Sequence, residues 1–101
     1  MRLSKHMPLN TKQQNVIGAI IDQINNIIKG MQLSEADASD SSKFIQIIVD
    51  INSENPEEMK VATKLSDNSN PGLDATLIQE MKRTDNKPGP TVQIFGVNAS
   101  D

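Results

Sequence analysis

Few residues of this sequence have the types and spacing that catalysis or metal binding requires. His6 is the only histidine and the chain has no cysteine, so thiol nucleophiles and thiolate metal sites are excluded. Glu57 and Glu58 are adjacent, and neighbouring residues on a helix point in different directions, which argues against an acid–base pair. We therefore expect no catalytic residue, metal ligand, cofactor or small-molecule substrate, and predict that the protein is not an enzyme.

A short polar run has part of the pattern of a calcium-binding loop. From Asp67 to Gly72, oxygen-bearing side chains stand at alternate positions and a glycine is sixth. Pro71 occupies the fifth position, however, and Ile78 stands where the bidentate glutamate of the twelfth position is needed. We interpret the run as a turn.

The cations of the second half of the chain are the candidates for binding nucleic acid. The net charge is -3, so any DNA contact must come from a local basic patch. The chain also has no Trp or Tyr, which excludes a platform of these residues for stacking bases. An ordinary solvated face remains the alternative, because acidic residues lie among these cations. The predicted nucleic-acid-binding residues are Lys60, Lys64, Lys82, Arg83 and Lys87.

An isoleucine-rich helix is predicted from Thr11 to Met31. Its apolar residues recur at spacings of four and three, which is the seam of an amphipathic helix, and Gly30 lies near its end. Adjoining isoleucines widen the seam beyond what a small helical domain covers, which favours a homo-oligomer over burial within one copy. The predicted oligomer interface comprises Ile17, Ile20, Ile21, Ile24, Ile27, Ile28, Met31, Phe44 and Ile48.

The segment from Phe44 to Ile51 fits two structures. Its apolar residues recur at helical spacing, yet Ile45, Ile47 and Val49 also alternate as in a strand. β-branched residues favour the strand, whereas the neighbouring predicted helices favour a helix. We predict a helix here and keep the strand as the alternative.

Two further helices and a short β-prone tail complete the predicted fold. Asn55 and Pro56 are a capping residue and a first-turn proline, so a helix is predicted to begin at Pro56 and to bury Met59, Ala62 and Leu65. A last helix is predicted over residues 73–84 and a β-prone segment over 91–97. The predicted class is mainly α: a small bundle of three to four helices with a β-prone C-terminal tail. We expect residues 1–10 to form a flexible segment, 11–86 a helical oligomerisation domain, and 87–101 a Pro/Gly linker and tail.

Part of the sequence resembles the small terminase subunits of large tailed phages. The run from Asn52 to Val61, within the stretch 44–66, is similar to their central helical hairpin, in which a proline starts the second helix. The end of the chain, from Ile94 to Asp101, is similar to the short segment that follows their helices. Pro71 and Gly72 depart from the pattern by interrupting a helix that is usually continuous.

That resemblance implies a ring-forming DNA-packaging subunit without catalysis of its own. Such a protein would bind DNA and regulate the motor and nuclease of a large subunit in the host cytoplasm. The alternative function is a small helical inhibitor or regulatory module that binds one host protein without nucleic acid. The sequence has no segment apolar enough to cross a membrane and no signal-peptide pattern, which favours the cytosol.

Overall fold

The computed structural model describes residues 11–51, 59–67, 71, 74–83 and 87–98. Within these residues three helices come first: α1 (Thr11–Asp22), α2 (Ile24–Gly30) and α3 (Glu35–Ala38). Four strands follow in the same described part of the chain: β1 (Phe44–Ile51), β2 (Met59–Ser66), β3 (Ala75–Met81) and β4 (Thr91–Asn98). The protein is a mixed α/β fold built on a four-stranded sheet, so the predicted mainly α bundle is wrong.

The isoleucine-rich helix is confirmed, with one irregularity at Gln23. The backbone N–H of Gln23 bonds the carbonyl of Ala19 at 3.1 Å, and the N–H of Ile27 bonds the carbonyl of Gln23 at 3.0 Å. The i to i−4 ladder therefore continues from α1 into α2. The chain leaves the helix at Gln32, whose φ of 53° lies in the left-handed region that commonly ends helices.

The segment from Phe44 to Ile51 is a strand, so the prediction of a helix there is wrong. Ile45, Ile47 and Val49 are all buried on one face. A helix would have distributed these alternating residues around its circumference, whereas a strand places them all against the core. Their β-branched side chains also lose little freedom in a strand.

The two predicted helices in the second half of the chain are also wrong. Residues 59–66 are β2 and residues 75–81 are β3. The start signal at Pro56 lies outside the described residues, but the helix it was expected to begin is absent from Met59 onward. An N-terminal cap contributes only about 1 kcal/mol, which sheet pairing along a whole strand overrides. The β-prone segment 91–97 is confirmed as β4.

The sheet order is β2-β1-β4-β3, with β1 and β4 parallel at the centre. Both outer strands are antiparallel to their neighbours. α1 and α2 cover one face, where their buried isoleucines meet the buried aliphatic residues of β1 and β4. This core cluster consists of Ile17, Ile24, Ile28, Ile45, Ile47, Val49, Ile51, Val92 and Ile94.

The opposite face of the sheet has a polar row instead of an aliphatic one. Glu80, Gln93, Gln46 and Lys64 are register partners in turn, so they run across all four strands. Gln46 is fully buried, and Nε2 of Gln93 donates a 2.7 Å hydrogen bond to Oε2 of Glu80. Phe95, buried on this face, lies outside the helix-covered cluster.

The topology brings three chain segments to one end of the sheet. β2 ends with Ser66 beside Phe44, and β3 begins with Ala75 beside Val97, so the chain passes from one end of the sheet to the other between them. Pro71, the described residue midway, is buried. β3 then returns, and its end lies next to the starts of β1 and β4. These three segments position the candidate site.

Some predictions concern parts of the chain that the structure does not describe. The predicted flexible segment 1–10 lies outside the described residues. The predicted linker and tail, 87–101, contains β4, which lies between β1 and β3 in the sheet. The helical hairpin implied by the terminase resemblance is wrong where residues are described, because 44–51 and 59–66 form a β-hairpin.

Candidate anion site

A cavity of about 540 Å³ opens at the end of the sheet where β1 and β4 begin and β3 ends. Three of its lining residues are cations and two carry hydroxyl groups. The set is Ser41, Lys82, Arg83, Lys87, Pro88, Gly89 and Thr91. Lysine, arginine and hydroxyl groups are all hydrogen-bond donors, so this lining can serve an anion with several oxygen atoms.

Lys82 and Arg83 reach the cavity because they directly follow Met81, the last residue of β3. Nη1 of Arg83 donates a hydrogen bond to the backbone carbonyl of Ala38, the last residue of α3. Arg83 is half-buried while Lys82 is exposed. The arginine therefore ties the end of β3 to α3, and its planar guanidinium is held beside the cavity.

Gly89 allows the chain entering β4 to approach that arginine closely. A Cβ at residue 89 would overlap the carbonyl oxygen of Ala38 and would lie 2.7 Å from Nη1 of Arg83. A real Cβ does not come so near a backbone atom, so a larger residue here requires the wall of the cavity to move. Gly89 lies between Pro88 and Pro90, which fix the backbone on either side.

The turn before β1 is ordered by Asp40. Its Oδ1 accepts hydrogen bonds from the hydroxyl of Ser42 at 2.6 Å and from the backbone N–H of Ser42 at 2.9 Å. These bonds, the hydroxyl first, lower the pKa of Asp40 below the usual range of an aspartate. The intervening residue, Ser41, is thereby placed at the cavity wall.

Lys43 is a fourth cation near this end of the sheet, but it is engaged with carboxylates. Its Nζ lies 2.9 Å from Oδ1 of Asp67 and 3.7 Å from Oδ1 of Asp37. The hydrogen bond to Asp67, and then the charge of that carboxylate, raise the pKa of Lys43. The Lys43–Asp67 pair joins the residue before β1 to the residue after β2. The charge of Lys43 is therefore offset by a carboxylate.

The structure separates the five predicted nucleic-acid-binding cations into two groups. Lys82, Arg83 and Lys87 line the cavity. Lys60 and Lys64 lie on β2, at the edge of the sheet, where they are register partners of Asp50 and Gln46. The five cations thus form a cluster of three and a separate pair, and their role in binding nucleic acid stays a prediction.

The predicted oligomer interface is likewise divided. Its helical isoleucines pack against the helix-covered face of the sheet: Ile17, Ile24 and Ile28 are buried, and Ile20, Ile21, Ile27 and Met31 are partly buried against the same core. Phe44 and Ile48 alternate with the core residues of β1, so they belong to the other face. The structure does not bring these two sets together.

The sequence interpretation missed four residues of the cavity: Ser41, Pro88, Gly89 and Thr91. Pro88 and Gly89 were interpreted only as part of a Pro/Gly linker. The available signal was the proline–glycine–proline run between a pair of cations and a β-prone segment, since such a run positions the chain sharply before a strand. No sequence pattern indicated Ser41, because its place at the cavity depends on where β3 ends and where β4 begins.

In the described part of the chain, no group of three or more His, Asp or Glu residues is arranged to hold a metal ion. Among the described helices, none has the length and apolar character to cross a membrane.

No protein-family model, curated protein or solved structure matches this chain. The fold and these comparisons give no support to an assignment as a phage, terminase, DNA-packaging or DNA-binding protein. The resemblance to small terminase subunits stays an untested prediction, and its helical hairpin is wrong.

Proposed function

We propose that this protein is a non-catalytic binding module that holds a phosphate group of a larger ligand in the basic cavity. The observation that carries the proposal is the convergence of Lys82, Arg83 and Lys87 with two hydroxyl-bearing residues on one concave site. Phosphate oxygens accept hydrogen bonds from all of these groups, and arginine binds them in a fixed fork geometry.

The absence of a general base among the described lining residues favours binding over turnover. Among the lining residues that the structure describes there is no carboxylate, imidazole or thiol. Held by Ala38, the guanidinium of Arg83 is also partly ordered before the ligand arrives. Such preorganisation lowers the entropic cost of binding.

The cavity size and its lining define the class of ligand. A volume of about 540 Å³ exceeds that of one phosphate and lies in the range of small-ligand sites. The described lining has no aromatic ring, so it offers no stacking surface for a base. The ligand is therefore recognised through phosphate, and its bases have little influence on affinity.

A pair of charge-matched variants tests the proposal. The double substitution Lys82→Gln with Arg83→Gln removes two cavity cations, and the control Lys60→Gln with Lys64→Gln removes two cations from β2. We expect the first to weaken binding of a fluorescent oligonucleotide about tenfold or more and the second to have little effect, because each lost charge-assisted hydrogen bond contributes about 1.5–3 kcal/mol. Fluorescence anisotropy measures both.

The same assay distinguishes a small phosphorylated ligand from a polymer and can contradict the proposal. A free nucleoside triphosphate that competes at equal phosphate concentration indicates a small ligand, whereas competition only by oligonucleotides indicates a polymer. Three phosphate contacts predict a log–log salt slope of roughly -2 to -3. Equal loss in the two double variants, or no binding of any phosphate compound at low salt, contradicts the proposal.

A further inference from the structure

The two edge strands of the sheet differ in how well they could accept another strand. β3 pairs with β4 through a register shift between Leu77 and Gln79. β2 pairs with β1 through eight consecutive residues without any shift. A bulge interrupts the row of backbone donors and acceptors on an edge, whereas a regular strand presents that row intact. β2 is therefore the edge suited to pairing.

The middle of β2 is exposed on both of its faces, whereas Met59 and Leu65 near its ends pack partly against the core. Residues 60–64 are all exposed, in contrast to the neighbouring β1, and the side chain of Val61 is 45% exposed. A regular strand of eight residues with an exposed valine is the kind of edge that other chains pair with.

The side-chain pattern of β2 distinguishes between two registers in which a second copy could pair with it. By alternation along β2, Val61, Thr63 and Leu65 share the helix-covered face, and Lys60 and Lys64 share the other. In a two-fold antiparallel pair centred on Ala62, Lys60 would face the partner's Lys64, which places like charges opposite each other.

A pair centred on Thr63 avoids that conflict. Val61 then faces the partner's Leu65, and Lys60 and Lys64 face the partner's Ser66 and the partner's Ala62. The exposed valine gains an apolar cross-strand neighbour, and no lysine lies directly opposite another; Lys64 is only a diagonal neighbour of the partner's Lys60 and the partner's Lys64. We propose that two copies of this chain pair antiparallel through β2, centred on Thr63, and join their four-stranded sheets into one continuous sheet.

A single cysteine at the two-fold axis tests the register. The natural chain has no cysteine, so Thr63→Cys introduces one thiol per copy. In the proposed pair the two residues 63 face each other with Cα atoms about 4.5–5.5 Å apart, which a disulfide can span. We expect rapid oxidation to a covalent dimer on non-reducing gels.

Two matched cysteine variants are the controls. Ala62→Cys lies one residue away, and its counterpart across the axis is a diagonal neighbour at about 7–8 Å, so it should cross-link much more slowly. Val16→Cys, on α1 and 38% exposed, gives the rate of random collision. Cross-linking of Thr63→Cys at or below the Val16→Cys rate overturns the proposal.

Sedimentation of the unmodified chain provides the second measurement. We expect twice the monomer mass of 11.1 kDa at about 100 micromolar, a concentration that populates weak dimers. Val61→Lys places a charge against the partner's Leu65 at two symmetry-related positions, so the dissociation constant should rise about tenfold or more. A monomer at this concentration, or a dimer that Val61→Lys leaves unchanged, contradicts pairing through β2.

Discussion

The aliphatic core and the basic cavity are stabilised in different ways. The core joins nine buried residues from two helices and two strands, and each of them packs against several others. The wall of the cavity includes directional contacts, among them the hydrogen bond from Arg83 to Ala38, and the close approach of Gly89. Apolar packing is non-directional, whereas hydrogen bonds in a polar wall are specific in geometry. Core substitutions should therefore change stability, and cavity substitutions should change binding more than stability.

The largest effect is expected from Ile24→Ala. Ile24 is 1% exposed and lies in the core cluster, so its truncation leaves a cavity that the surrounding residues fill only in part. The free energy of unfolding should fall by about 2–5 kcal/mol. Urea denaturation measures this loss. The control Val16→Ala, on the exposed side of α1, should change stability by less than about 1 kcal/mol; similar losses in the two variants would contradict the division between core and surface.

Gly89→Ala should have the next largest effect and should act on both properties. The added Cβ would overlap the carbonyl of Ala38 and crowd Arg83, so we expect a loss of about 1–3 kcal/mol in stability. Phosphate binding should weaken as the guanidinium moves. Thermal unfolding and fluorescence anisotropy on the same samples separate the two effects.

The matched control for that substitution is Gly18→Ala. A Cβ at Gly18 meets nothing within 4 Å, and the residue lies in the interior of α1. Alanine there should stabilise the protein by up to about 1 kcal/mol, because glycine is a poor helix former. If Gly89→Ala were as well tolerated as Gly18→Ala, the close approach at the cavity wall would not matter.

The core and the cavity also differ in how well the sequence predicts them. The Ile17–Ile28 stripe predicts a helix because its period is unambiguous, and the alternation of Ile45, Ile47 and Val49 contains the strand that the structure has. Met59–Ser66 was mispredicted because its apolar residues fit both periods, and pairing with β1 decides between them. That pairing is a non-local interaction, which no window along the chain contains.

The cavity could be predicted only in part for the same reason. Lys82, Arg83 and Lys87 are close together in sequence and were chosen for their charge, but the separation of Lys60 and Lys64 from them follows from the strand order. Likewise, the helical isoleucines were recognised as one apolar surface. The sheet covers this surface within a single copy. The sequence analysis did not predict this, because it predicted helices where β1, β2 and β3 lie.

The smallest effect is expected from Lys43→Met, which tests a contact at the boundary between core and cavity. The pKa of Lys43 is raised by its bond to Asp67, so the folded state favours the charged form. Stability from this pair should be fully present below the unfolded lysine pKa and should be lost as pH rises through the higher folded value. Because both side chains are partly exposed, water and salt screen the interaction.

In thermal melts, Lys43→Met should be slightly less stable than the natural chain at pH 7, and the difference should shrink towards pH 11 and in high salt. Asp67→Asn should give a similar loss, and the double variant should lose less than the sum of the two, because each single substitution already removes the pair. Fully additive losses that do not vary with pH would show that the two residues act independently.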